Sequence, residues 1–209
     1  MCEAQATTKE HAPPRSFFPE GYRRDLITVP SCDRHNSDNS MDVEYVRNVI
    51  ATQHGVNDLA AKVFEKAQRS WNRSPKLLTR TFRDFRAVQY EGSETGAFTI
   101  DLPRHRRVME AIAYAIYFAT RGRKHYGDWR IFTPSFKYAP AMLQGKPDPW
   151  ESLRNLLASG VLQPLAMPEP QVFSCSEVAV NQGHLIYRFE FYGAVVVNAW
   201  TLFSTHVAF

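Results

Sequence analysis

The chain has 209 residues, of which 44% are hydrophobic, 13% aromatic and 22% charged, enough to build a packed core and too apolar for wholesale disorder. A formal charge of +4 permits a nucleic-acid partner without demanding one. With no apolar run of about 18 residues and no apolar stretch near the start, neither a membrane span nor a secretory signal is expected, and a cytoplasmic location is the default.

The first forty residues are rich in Pro, Ser, Asp, Asn and His, with short apolar stretches at Ser16-Phe17-Phe18 and Leu26-Ile27-Thr28-Val29. Such a segment has little to bury, which makes a metal staple attractive. Asp42 is expected to cap a helix carrying Val43, Val46 and Ile50. Asn57 or Asp58 caps a second, with Leu59, Val63, Ala67 and Trp71 on one face. Pro75 opens a third, carrying Leu77, Leu78, Phe82 and Phe85. Ala87 to Glu91 and Ala97 to Ile100 flank Gly92-Ser93-Glu94-Thr95-Gly96 as a hairpin. Asp101-Leu102-Pro103 starts the clearest helix, running through Val108, Ile112, Ala115, Ile116 and Ala119 to a stop at Gly122.

Beyond it the rhythm changes to strands at Trp129 to Phe132, Gln171 to Ser174, His184 to Tyr192 and Ala194 to Leu202, with a short helix around Trp150 to Ala158. Leu185, Tyr187, Phe189 and Phe191 alternate with Ile186, Arg188 and Glu190 in a half-buried pattern. Helices first and strands later predict an α+β fold. The expected divisions are an N-terminal unit over 1–52, a helical region with a hairpin over 53–126, and a strand-rich region with a small antiparallel sheet over 127–209.

Two short segments carry chemistry. In Glu10-His11, a hard oxygen ligand precedes a group that takes a proton near neutral pH. In Cys32-Asp33-Arg34-His35-Asn36, the C-x2-H spacing of Cys32 and His35 can close half of a zinc site, and the amide oxygen of Asn36 can serve a second metal site. Cysteines are few (Cys2, Cys32 and Cys175) and too scattered for a disulfide framework. Cys175, in an expected strand, reads as a small buried hydrophobe.

On these residues the first fifty positions resemble the HNH, or His-Me finger, endonuclease family. The resemblance implies a ββα-metal finger with Glu10-His11 ending its first strand, Leu26 to Val29 as its second, and Asn39 to Asp42 leading into the helix. It implies that His11 is the general base, and that Glu10 and Asn36 hold Mg²⁺ or another divalent cation. It also implies that Cys2, Cys32 and His35 are the remnant of a structural Zn²⁺ site. Two departures stand out. The first Cys pair is represented by Cys2 alone, leaving a misplaced start or a decayed zinc site as readings, and the middle Asn is missing, with Asp25 nearest its place. The implied function is metal-dependent hydrolysis of phosphodiester bonds in DNA. The alternative is a catalytically vestigial finger that binds nucleic acid or protein.

Arg69, Arg73, Lys76, Arg80, Arg83 and Arg86 form a basic run opposed by Asp84. Helical periodicity places Arg80, Arg83 and Arg86 on one side as candidate phosphate contacts, against the plainer reading of a solvated helix face. Arg104, Arg106 and Arg107 oppose the dipole at the start of the long helix, which hints at another use. Tyr114, Tyr117 and Phe118 are expected in the core. His54, His105, His125, His184 and His206 share no spacing and receive no role.

Overall fold

The computed structural model describes residues 4–32, 40–73, 75–90, 92–136, 151–180 and 184–202. Strands β1 (Thr8–His11) and β2 (Thr28–Ser31) form a two-stranded antiparallel sheet. Helices α1 (Ser40–Ala51), α2 (Asp58–Arg73) and α3 (Pro75–Thr81) follow. The hairpin β3 (Arg83–Tyr90) and β4 (Ser93–Thr99) leads into the long helix α4 (Leu102–Arg121). Then come β5 (Trp129–Phe132), α5 (Glu151–Ser159), β6 (Leu162–Leu165), β7 (Phe173–Val180), β8 (His184–Phe191) and β9 (Val195–Leu202). The last five strands form one antiparallel sheet in the order β5-β9-β8-β7-β6. The fold is mixed α+β, and among the described residues no helix is long and apolar enough to cross a membrane.

Local rules account for the helices that position everything else. Asp101 caps α4 by accepting from Arg104 N at 3.2 Å, Pro103 fits the first turn, and Gly122 ends the helix at φ +66°, a conformation that glycine adopts without strain. Asn57 Oδ1 accepts from Leu59 N at 3.1 Å at the start of α2, and Leu59, Val63, Ala67 and Trp71 are all buried. α1 begins at Ser40 rather than after Asp42. The Asp42 carboxylate is engaged elsewhere, taking Arg104 Nε at 2.6 Å and Arg107 Nη2 at 2.7 Å. Burial pushes its carboxyl up, but the hydrogen bonds from both guanidiniums outweigh that and hold it below the usual carboxylate value. Arg104 and Arg107, two of the three arginines that oppose the α4 dipole, therefore tie α4 to α1, and Arg104 also lies over the Tyr45 ring at 4.5 Å.

The main core joins α1, α2, α4 and the large sheet, and it takes in the N-terminal segment as well. Phe17 and Phe18 are 0% and 3% exposed, and Ala12 and Val29 are also buried. The segment thus buries more than its composition suggests, because its few apolar side chains enter a core supplied by the rest of the chain. The opposite face of the sheet is covered too. Leu153 of α5 packs in a second cluster with Phe132, Val178 and Ile186. That is why Ile186, placed on the outer face by simple alternation, is fully buried. Arg121 pairs with Glu177, fastening the end of α4 to β7.

The third helix departs most from expectation. It stops at Thr81, so Phe82 and Phe85 do not continue it, and Arg83 and Arg86 lie on β3. Arg80, Arg83 and Arg86 accordingly share no helix face. Phe82 sits edge-on between Trp71 at 5.0 Å and Phe98 at 4.7 Å. This aromatic stack and the β3–β4 ladder outweigh the local helical spacing. The ladder is irregular between Arg83 and Arg86, where Asp84 adopts φ +56°. The second finger strand runs two residues later than expected, and β6 has no counterpart in the expectations. β6 contains Pro164 but lies at the sheet edge, where a missing N–H is tolerated.

Candidate functional site

Glu10 and His11 close β1, with Glu10 opposite Val29 and His11 opposite Thr28 on β2. The ladder is extended at both ends, by Thr7 N to Ser31 O and Ala12 N to Ile27 O, each 3.0 Å. The connection between the strands is pinned from beneath. Tyr192 Oη donates to the Phe17 carbonyl at 2.5 Å, the Phe17 and Phe191 rings lie 5.5 Å apart, and Arg23 Nε donates to the Phe18 carbonyl at 2.8 Å. Chain order is therefore strand, anchored loop, strand, helix, with the dipeptide at the end of the first strand.

Both side chains are half-buried and border a cleft of about 480 Å³. Its other walls are Lys9, Arg15 and Ser16 from the finger, Ser40, Val43, Glu44 and Arg47 from α1, and Lys66 from α2. Below the dipeptide, Val108, Ala111, Ile112 and Ala115 of α4 form an apolar floor. Ser31 Oγ donates to Glu10 Oε2 at 3.5 Å where Glu10 lines the cleft. Burial, and then the positive charge of Arg15, hold the His11 imidazole below its ordinary value. His11 is therefore neutral at physiological pH, the form that accepts a proton.

Arg47, like Lys9, Arg15 and Lys66, lines the cleft with no counterpart in the sequence reading. It is 8% exposed and held by Asn48 Oδ1 at 2.8 and 3.0 Å and by Glu44 at 3.4 Å. Its one sequence signal is its place among Tyr45, Val46, Val49 and Ile50, all of which are buried.

The expected metal ligands are placed in part. Glu10 lines the cleft, and Cys32, half-buried, follows β2. Cys2, His35 and Asn36 lie outside the described residues. Among the described residues no three His, Cys, Asp or Glu side chains converge as a metal cage. Glu10 alone still fits a Mg²⁺ site, because that ion keeps several waters and takes one or two carboxylates. Asp25, in the β1–β2 connection at φ +51°, does not line the cleft. Arg80, Arg83 and Arg86 are exposed, and Arg83 pairs with Asp101 at 3.5 Å; none of the three lines the cleft. Compared with known protein families, with curated proteins and with solved structures, the chain matches none.

Proposed function

We propose that the chain is an HNH-like endonuclease that hydrolyses phosphodiester bonds in DNA with His11 as general base. The observation that supports this most is the ββα order of β1, β2 and α1, with Glu10-His11 at the end of the first strand on the wall of a cleft carrying Lys9, Arg15, Arg47 and Lys66. Neutral His11 takes the proton of a water attacking phosphorus. Arg15 and Lys9 beside it favour the developing negative charge on the phosphate oxygens. Glu10, with Asn36, would hold the divalent cation, which supplies Lewis-acid stabilisation of the leaving oxygen when bound. Cys32, with Cys2 and His35, would hold zinc in a separate structural role.

Purified protein with Mg²⁺ or Mn²⁺ should nick supercoiled plasmid, and chelation should stop it. General-base catalysis contributes about 10²–10⁴-fold, so His11→Ala should cut at least about 100-fold more slowly at an unchanged melting temperature. Equal nicking by His11→Ala and the parent would refute the assignment of the base. A parent that binds DNA but never cuts would leave the vestigial binding module as the function.

A further inference from the structure

The cleft beside His11 continues past Arg15. A second cleft of about 190 Å³ shares Ser16, Arg47 and Lys66 with it and extends to Arg23, Lys62 and Arg69. Five cationic side chains line this extension, and Glu20 is the one carboxylate among the described residues that do. Lys62, Lys66 and Arg69 stand exposed on α2 while Val63 and Ala67, between them in sequence, turn into the core. The i, i+4, i+7 spacing puts the three cations in one row on one helix face.

The row spans about 10 Å along the helix axis at a rise of about 1.5 Å per residue. One DNA strand advances about 3.4 Å per base step along the duplex axis, so the row reaches across about three steps, and its three cations can meet three of the four phosphates that those steps separate. Several of the cations are held in place before any ligand arrives. Arg23 is tied to the Phe18 carbonyl at 2.8 Å, Arg47 to Asn48, and Lys62 Nζ lies 5.8 Å from the centre of the Tyr22 ring. Where the two clefts meet, Ser16 Oγ is shut from solvent and has no hydrogen-bond partner among the described residues.

We infer that this groove is a track for the phosphate backbone of duplex DNA, with Lys62, Lys66 and Arg69 contacting phosphates of one strand and Arg23 and Arg47 leading that strand to His11. The inference deepens the nuclease reading and rests on it for the direction of the track. Contacts of this kind position the duplex and carry no sequence information.

The test is binding of a fluorescein-labelled duplex of about 30 base pairs, followed by anisotropy in EDTA across about 50–200 mM KCl, a range over which phosphate contacts are strongly salt-dependent. Replacing three contacting cations should make the slope of log K against log [KCl] shallower by about 2.7, at about 0.9 per phosphate. The triple variant Lys62→Gln, Lys66→Gln, Arg69→Gln should show that change. It should also lose affinity on the order of 100-fold at about 100 mM KCl by the same relation, at an unchanged melting temperature. The matched pair Arg80→Gln, Arg86→Gln should bind as the parent does. A parental slope in the triple variant, a parent that binds no duplex, or a loss that follows Arg80→Gln, Arg86→Gln instead would each overturn the track. The two readings fail separately. If His11→Ala stops cutting while the triple variant binds like the parent, the track falls and the nuclease stands. If the triple variant loses binding but the parent never cuts, the track stands and the nuclease falls.

Discussion

The geometry of the β1–β2 connection depends on one hydroxyl far along the chain, and Tyr192→Phe tests that dependence with almost no change of volume. Tyr192 is fully buried, and its Oη donates to the Phe17 carbonyl at 2.5 Å. Burial raises its phenol well above the ordinary value, so the group stays protonated and donating at any working pH. Without it, the Phe17 carbonyl is left buried and unsatisfied, which costs about 1–3 kcal/mol. For a chain of this size each kcal/mol shifts Tm by about 2–4 °C, so the expected fall is about 2–12 °C by calorimetry or circular dichroism. Tyr187→Phe is the internal control. Tyr187 is equally buried, but its Oη meets Thr120 Oγ1 at 3.3 Å, and that hydroxyl already donates to the Ile116 carbonyl at 2.8 Å. Its loss orphans no acceptor, and the change should be the smaller one, about 0.5–1.5 kcal/mol for one net hydrogen bond. Equal melting of the two variants would refute the claim that the β1–β2 connection hangs on this bond.

Two further consequences concern pH. Because burial and Arg15 lower the His11 pKa, the nicking rate should rise with pH through a limb below the ordinary histidine value and then level off. Arg15→Gln removes one cause and should move that limb to higher pH, whereas an unmoved limb would exclude His11 as the titrating group. His105 is 3% exposed, bonds Thr133 Oγ1 through Nε2 at 2.8 Å, and is pushed by burial down to about 3. Unfolded, it takes a proton below about 6.5, so the stability it permits is full above that pH and drains away as pH falls toward about 3. At about 1.4 kcal/mol per pH unit, roughly 2 kcal/mol is gone by pH 5. In urea titrations, His105→Gln should shrink the stability gap between about pH 7.5 and pH 5 by that amount; an unchanged gap would show that His105 is not the group responsible.

What could be read from the chain alone follows the range of the forces involved. The ends of α4 are set by Asp101 and Gly122, both local devices, and β5 by a short apolar run broken only by the exposed Arg130; both are plain in the sequence. Phe82, Arg83 and Arg86 continue a helical spacing that the Trp71–Phe82–Phe98 stack overrides, and no local rule contains that stack. Ile186 is buried because α5 lies over the second face of the sheet, a fact of topology rather than of periodicity. At the site, Glu10 and His11 are adjacent in the chain and visible as a motif. Arg23, Arg47 and the α2 row come from a loop and two helices, and their convergence exists only after folding.

That folding also bears on the incomplete cysteine set. A finger that stands alone depends on structural zinc, whose binding is worth about 10–16 kcal/mol in isolated zinc-finger peptides. Here Phe17 and Phe18 enter the main core and Val29 is buried as well, each burial worth about 1.5–3 kcal/mol, and the Tyr192 and Arg23 bonds fix the loop between the strands. A finger held this way keeps Glu10-His11 on the cleft wall whether or not Cys32 and its proposed companions bind metal. The shortage of zinc ligands therefore does not argue against the proposed chemistry, and the two metals separate experimentally. Cys32→Ser is expected to lower zinc content while leaving nicking in Mg²⁺ at its parental rate; collapse of the fold in Cys32→Ser would show instead that the core alone does not hold the finger.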